Sequence, residues 1–176
     1  MSGTLVTVAK DVKIQVDFNP AKVEAYRLIG YENRLLRPED FNDDRKDAGD
    51  MGAGHTVTAL FEIIPRGGTV PGSVDPSVFQ PRPRTPPPAS TSNDMLVLRV
   101  RYKQPDASES TRMDVPFADR GASFASADPD FRFAASVAAF GMILKESTNR
   151  GTATLEWVLD TATSSRGKDR GGYRDE

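Results

Sequence analysis

The sequence contains no cysteine, only one histidine and one tryptophan, and aromatic residues make up 8% of its 176 residues. Without cysteine the chain has no disulfide framework, no thiol nucleophile and no cysteine-based metal site, although this absence leaves the cellular compartment open. The formal net charge of −2 argues against a dedicated nucleic-acid-binding protein, because such proteins carry strongly basic surfaces. No apolar run approaches the roughly 18 residues of a membrane span. The amino terminus also lacks the pattern of a signal peptide.

The length of 176 residues fits one domain, or one domain with a small appendage. A chain of this size buries about two thirds of its unfolded surface and needs no disulfide or metal to fold. A strand pattern begins within a few residues of Met1. This favours a start inside a longer protein.

Alternating apolar and polar residues predict strands in the first two thirds of the chain. In residues 12–18, for example, Val12, Ile14, Val16 and Phe18 alternate with polar residues, which is typical of a half-buried strand. Similar patterns predict further strands over 23–31, 56–64, 95–103 and 112–117. The charged side of the 95–103 strand, Arg99 to Lys103, is expected to face solvent.

The apolar period changes from two to 3.6 near residue 128. Asp128, Pro129 and Asp130 form a strong helix start, with an acidic N-cap and proline at the first helical position. The helix is predicted to end at residues 149–151 and to bury an apolar stripe against another element. That stripe consists of Phe133, Val137, Phe140 and Leu144. Residues 155–162 predict a second helix, so the two should form an antiparallel helical hairpin, followed by a polar tail from Ser164 that is expected to fray.

Strands first and helices last predict an α+β fold. We expect an antiparallel β-sandwich-like domain over residues 1–120, and a carboxy-terminal helical hairpin with a polar tail over 121–176, packed on it. Residues 37–55, with six acidic side chains, are expected to form a loop. Eight of the 13 prolines lie between Pro65 and Pro88, so residues 66–94 are predicted to form a long loop. A ligand for a proline-recognition domain is the alternative interpretation of this segment.

Two short motifs have the spacing of metal ligands. Asp106, Ser108 and Ser110 match the DxSxS pattern with which von Willebrand factor A domains bind a hard cation such as Mg²⁺. The strand before this motif carries arginine and lysine where the adhesion site has a buried apolar strand, so a hydrophilic hairpin turn is the preferred interpretation.

The second motif lies in the acidic segment. Asp40, Asn42 and Asp44 have the spacing of the first ligands of a calcium loop. An EF-hand beginning at Asp40 would need glycine and glutamate at its sixth and twelfth positions, where this sequence has Arg45 and Met51. A solvated loop is therefore preferred over a calcium site, and no metal or cofactor is assigned.

No catalytic constellation stands out. His55 is the only histidine, and no GxSxG motif singles out a serine that it could activate. Neither GxGxxG nor GxxxxGK[ST] is present. We therefore expect a non-enzymatic protein, with a hydrolase built around His55 as a remote alternative.

Four long segments together resemble a bacterial protein family. They are residues 9–34, 39–65, 96–110 and 130–147. They are similar to the carboxy-terminal domain of unknown function that follows the von Willebrand factor A domain in that family. The resemblance covers most of the chain, although the proline-rich segment 66–94 is longer than in the family and the tail stops short of its last helical stretch.

The resemblance implies that the chain is part of a larger protein and adjoins an A domain. The family has no established catalytic residues that could be transferred to this sequence. Family members look exported or lipid-anchored, which implies a periplasmic or cell-envelope setting for the parent protein. We expect an accessory module that packs beside the A domain and supports protein–protein binding. The alternative is a divalent-metal-dependent adhesion module, or a Ca²⁺-stabilised one, using Asp40–Asp50 or Asp106–Ser110.

Overall fold

The computed structural model describes residues 6–30, 35–71, 91–169 and 172–175. The chain divides into two compact units, one drawn from Met1–Val57 and Phe61–Asp119, the other from Thr58–Leu60 and Arg120–Glu176. Within the described ranges, no helix has both the length and the apolar character to cross a membrane.

The first unit contains two small sheets. Its strands are β1 (Thr7–Phe18), β2 (Val23–Ile29), β3 (Gly49–Gly52), β4 (Leu60–Pro65), β5 (Leu96–Lys103) and β6 (Ser110–Phe117). The order in the four-stranded sheet is β3-β1-β5-β6, and β2 pairs with β4. All neighbours in the four-stranded sheet are antiparallel. A short 3-10 helix, Pro38–Asn42, precedes β3.

The observed strands differ from the sequence-based expectation in several places, and β1 for example begins at Thr7 instead of residue 12. The strand predicted over 56–64 begins only at Leu60, and residues 56–59 form no strand. Conversely, part of the expected acidic loop forms β3, which pairs with β1. Gly49 and Gly52 are the first and last residues of this short strand and lower its intrinsic strand propensity. Its formation therefore depends on pairing with β1, which the local sequence does not reveal.

A β-bulge at Asp11 interrupts the alternation of β1. Lys10 lies opposite Lys103, whereas Lys13 lies opposite Arg101, so three residues of β1 span two of β5. Asp11 occupies the left-handed region with φ of 51°, which aspartate tolerates better than most residues. The bulge places Lys10 and Lys13 on the same side of the sheet.

Strands β1, β5 and β6 build two chemically different sheet faces. Residues directly opposite each other, or two apart on a strand, share a face. The face that we call the apolar face consists of Ile14, Val16, Phe18, Leu96, Leu98, Val100, Met113, Val115 and Phe117. The opposite side, the polar face, includes Lys13, Gln15, Asp17, Arg99, Arg101, Arg112 and Asp114.

The two sheets meet at one end of the apolar face. The ring of Phe18 stacks on Tyr26 of β2 with centroids 4.1 Å apart, and it meets Phe61 of β4 edge-on at 5.5 Å. Aromatic pairs at these separations add to the stability that their burial provides. Arg27 of β2 also pairs with Glu62 of β4.

The second unit is a pair of helices, α1 (Pro129–Leu144) and α2 (Leu155–Ser165). Asp128 caps α1 as predicted, and its side chain accepts a hydrogen bond from the backbone of Asp130. The guanidinium of Arg132 near the start of α1 donates to the carbonyl of Ser164 near the end of α2. The two helices pack against each other in antiparallel orientation. The α+β class and the carboxy-terminal helical hairpin are thus confirmed.

The predicted end of α1 is wrong. The helix stops at Leu144, because Glu146 turns into the left-handed region with φ of 51°. The backbone N–H groups of Glu146 and Ser147 then donate to the carbonyls of Ile143 and Met142. These two bonds form a Schellman motif. Glycine usually occupies the left-handed position, and its absence here concealed the helix end.

The apolar stripe of α1 is not buried as expected. Val137 and Phe140 are exposed and Leu144 is 66% exposed, whereas the buried positions of α1 are Ser136 and Ala139. On α2 the buried residues are Thr161 and Ser165. The helices therefore bury small residues and leave large apolar side chains on the surface.

The tail does not simply fray. The Arg174 guanidinium donates to Asp130 at 2.7 Å and lies 4.8 Å from the ring centre of Phe133. Arg166 pairs with Asp175. These contacts hold the described part of the tail against the start of α1, because the cation meets both a carboxylate and an aromatic ring.

Candidate functional site

The acidic segment that follows β2 covers one end of the polar face, where Lys13, Arg101 and Lys103 lie. Lys13 is only 2% exposed, and its ammonium group donates to the carbonyls of Asp43 at 2.6 Å and Asp40 at 3.2 Å. A buried ammonium is tolerated only when its protons have partners. Lys13 therefore fixes the end of the 3-10 helix over the sheet, where Phe41 is also buried.

Arg101, Asp44 and Ser110 form the centre of a charged cluster on this face. The Asp44 carboxylate accepts hydrogen bonds from the Ser110 hydroxyl at 2.5 Å and the Ser110 backbone at 3.2 Å. Arg101 donates to the Ser110 hydroxyl at 2.6 Å and lies 3.5 Å from Asp44. These bonds favour the ionised form of Asp44 and lower its pKa, the Ser110 hydroxyl first.

Lys103 completes the charged cluster, which we define as Lys13, Arg101, Lys103, Asp11, Asp44 and Ser110. Its ammonium donates to the Asp11 carboxylate and to the Asp44 carbonyl, each at 2.8 Å. The Lys103 hydrogen bond lowers the pKa of Asp11, with help from the backbone N–H of Ala48. The same bond raises the pKa of Lys103. The expectation that Arg99–Lys103 faces solvent is thus wrong for Arg101 and Lys103, whose side chains are only 20% and 14% exposed.

The calcium-like triplet does not converge on a common point. Asp40 contributes its carbonyl to Lys13, Asn42 lies 3.4 Å from Arg101, and Asp44 is engaged by Ser110 and Arg101. Across the described ranges, no three or more acidic or histidine side chains group in a way that could hold a metal ion. The side-chain and backbone oxygens of this loop instead face the cations of the polar face.

The DxSxS motif forms the turn between β5 and β6. Asp106 and Ser108 are exposed, whereas Ser110 begins β6 and joins the charged cluster. The structure thus brings together one residue from each candidate motif, Asp44 and Ser110. The cation that they contact is the guanidinium of Arg101. Sequence reasoning missed this contact because the two residues are 66 positions apart.

The remaining sequence candidates lie apart from the charged cluster. His55 is exposed, and its backbone donates to the carbonyl of Gly52. Of the proline-rich segment 66–94, residues 72–90 lie outside the described residues.

The apolar face is an open feature of the described part of the first unit. Ile14, Met113, Val115 and Phe117 are 42–54% exposed. Contiguous exposed apolar surface is uncommon in monomeric proteins and marks interaction sites. The sequence shows the alternation of apolar and polar residues within each strand. It does not show the strand order that places the apolar side chains of β1, β5 and β6 next to each other.

The second unit also exposes apolar side chains. Leu155 and Leu159 of α2 are 58% and 67% exposed. Beside them, Phe124 lies 5.7 Å from Trp157 and 6.2 Å from Phe131, measured between ring centres. Each unit therefore offers apolar surface, whereas the acidic segment covers the Lys13 end of the polar face.

Comparison with known proteins gives this chain a family. It is 39% identical over all 176 residues to the "Uncharacterized protein YfbK" of Escherichia coli K12, of which it spans 30%. No solved structure matches the chain. The family described as "Uncharacterized protein YfbK, C-terminal" matches residues 3–176. The chain therefore belongs to the YfbK carboxy-terminal domain family.

Proposed function

We propose that this chain is a non-enzymatic interaction module of a longer protein, in which it accompanies a von Willebrand factor A domain and supports protein–protein binding. The observation that carries this proposal is the open apolar face formed by β1, β5 and β6. An uncharged surface of this kind suits association with another folded surface, because burying it gains hydrophobic free energy without desolvating charges.

The similarity to the longer E. coli protein supports placing this module within a larger chain. The chain corresponds to 30% of the length of the E. coli protein, so a family member of that size has most of its residues outside this region. A domain with an open apolar face gains stability when it is tethered to a surface that covers it, since tethering provides a high effective concentration.

Calorimetric titration of this chain with the A domain, in the presence and absence of Mg²⁺, tests the proposal. Saturable binding is expected. An effect of Mg²⁺ on the affinity would link the module to the adhesion site of the A domain. If the chain neither binds the A domain nor changes its binding to other proteins, an accessory role is contradicted.

A further inference from the structure

We infer that the apolar face of the four-stranded sheet is the docking surface for an amphipathic helix from the part of the longer protein that lies outside this chain. The inference deepens the proposed function and rests on it for the longer protein. It adds which surface is covered and what kind of element covers it.

The dimensions of the face match one helix. Three strands about 4.8 Å apart give an apolar strip about 10 Å wide, close to the diameter of an α-helix with its side chains. Residues 14–18 of β1 extend about 13 Å along the strand, which corresponds to about two and a half helical turns.

The chemistry of the face selects an apolar partner. Its nine residues carry no charge, and the nearest hydroxyl groups on the same side of the sheet are those of Tyr102 and Thr111, the next pair beyond Val100 and Met113. A helix that places leucine, isoleucine or phenylalanine at every third or fourth position would complement it, with polar residues on the outward side. Charged or nucleic-acid partners would find no group to bind.

The edges of the sheet disfavour the other common mode of recognition, which is strand addition. Edge strand β6 contains Pro116, which has no N–H to donate, and carries Arg112 and Asp114, which pair with each other. Proline and charged residues are devices that protect sheet edges from pairing. Edge strand β3 has only four residues. A partner is therefore expected on the face and not at the edge.

One end of the face is already closed, which defines where the helix lies. Phe18 contacts Tyr26 and Phe61. The exposed members are Ile14, Met113, Val115 and Phe117. The covering helix would thus contact the β6 side and the Ile14 end most closely.

The occupant is assigned to the longer protein because the chain accounts for only 30% of the relative that it resembles. A covalently linked segment reaches millimolar effective concentration. Persistent coverage by such a segment explains how an apolar face can be retained without causing aggregation.

Met113 provides a direct probe, because it is 49% exposed and lies on the face, whereas Met142 lies on α1 in the second unit. Oxidation by hydrogen peroxide depends on exposure of the thioether. The rate at each methionine would be followed by mass spectrometry, in this chain alone and in the longer protein. Met113 should oxidise readily in the isolated chain and about tenfold more slowly in the longer protein, with Met142 unchanged.

Matched variants locate the protection. In the longer protein, Val115→Lys should restore oxidation of Met113, whereas Arg112→Gln, on the opposite face of the same strand, should not. Equal oxidation of Met113 in the isolated chain and the longer protein would overturn the inference. So would slow oxidation in the isolated chain, or protection that appears there only at high concentration, which would indicate a second copy.

Deletion of the A domain separates this inference from the proposed function. If Met113 remains protected without the A domain, the face is covered by another part of the longer protein, and the inference stands while the A domain is not the partner. If the A domain binds this chain but leaves Met113 reactive, the proposed function stands and the inference fails.

Discussion

The same three strands give the four-stranded sheet two faces that differ most at the end where Lys13 and Ile14 lie. The acidic segment covers this end of the polar face, while Asp17, Arg112 and Asp114 farther along that face stay 41–54% exposed. On the polar face, Lys13 is 2% exposed and the acidic segment lies over Arg101 and Lys103. On the apolar face, Phe117 is 54% exposed and only Phe18 has aromatic partners from the second sheet. The buried cations of the polar face thus have partners within this unit, while four apolar side chains of the other face stay exposed.

The largest effect is expected at Lys13. Lys13→Met removes the ammonium and leaves the carbonyls of Asp40 and Asp43 without their partner, which should reduce the free energy of unfolding by about 2–4 kcal/mol. Urea unfolding measures the change. Lys10→Met, on the same face but less buried, serves as control and should have little effect. Equal destabilisation by both variants would contradict the role assigned to Lys13.

Two phenylalanines compare the closed and open parts of the apolar face. Phe18→Ala removes both aromatic contacts to the second sheet and should cost about 2 kcal/mol. Phe117→Ala, at a half-exposed position, should cost less than about 1 kcal/mol in the isolated chain. Thermal or urea unfolding distinguishes them. A larger loss for Phe117 would show that the isolated chain already covers this part of the face.

The charged cluster should make stability depend on pH at the acidic end. The pKa values of Asp11 and Asp44 lie below the ordinary value of 3.8, so the folded state favours their ionised forms. Their stabilising contribution is complete above about pH 4 and is lost as pH falls through the lowered pKa values. The urea concentration at the midpoint of unfolding should therefore decrease as the pH is lowered below about 4. In the Asp44→Asn variant this decrease should be smaller. An unchanged slope in this variant would exclude Asp44 as a source.

The pKa of Lys103 is raised above its ordinary value of 10.5. Its contribution is therefore present below that value and is lost as pH rises through the raised pKa. Asp43 and Asp114, which lie outside the cluster, also have lowered pKa values, so the difference between this chain and its Asp44→Asn variant isolates the contribution of Asp44 at acidic pH.

Divalent ions should have the smallest effect. The Asp44 carboxylate is already bound by Ser110 and Arg101, and the other candidate oxygens do not converge with it. Addition of Ca²⁺ or Mg²⁺, or of EDTA, should leave the melting temperature of this chain unchanged. A rise in melting temperature with Ca²⁺ that Asp44→Asn abolishes would restore the metal-dependent alternative.

The sequence predicted the features that local patterns determine. Alternation placed β1, β2, β5 and β6 close to their observed positions, and Asp128 with Pro129 marked the start of α1. It failed where distant residues decide. Short β3 depends on its pairing with β1, and the Asp11 bulge changes the side on which Lys10 lies.

The same limit applies to the candidate site. Asp44 and Ser110 belong to two separate segments with metal-like spacing to which no metal is assigned, and only the fold shows that they bind each other beside Arg101. Spacing along the chain identifies potential ligands, but convergence in space depends on strand order. The apolar face was hidden for the same reason, because β1 pairs with β5, which lies far from it in sequence, whereas β5 and β6 are consecutive strands.

The most direct test of the account compares two variants on opposite faces of β6. Val115→Lys and Arg112→Gln would each be titrated calorimetrically with the A domain, after urea unfolding has shown that both are folded. The account predicts that Val115→Lys weakens binding by about tenfold or more, since it places a charge within the apolar face, while Arg112→Gln binds normally. Equal affinities for the two variants would contradict the assignment of the apolar face as the interaction surface.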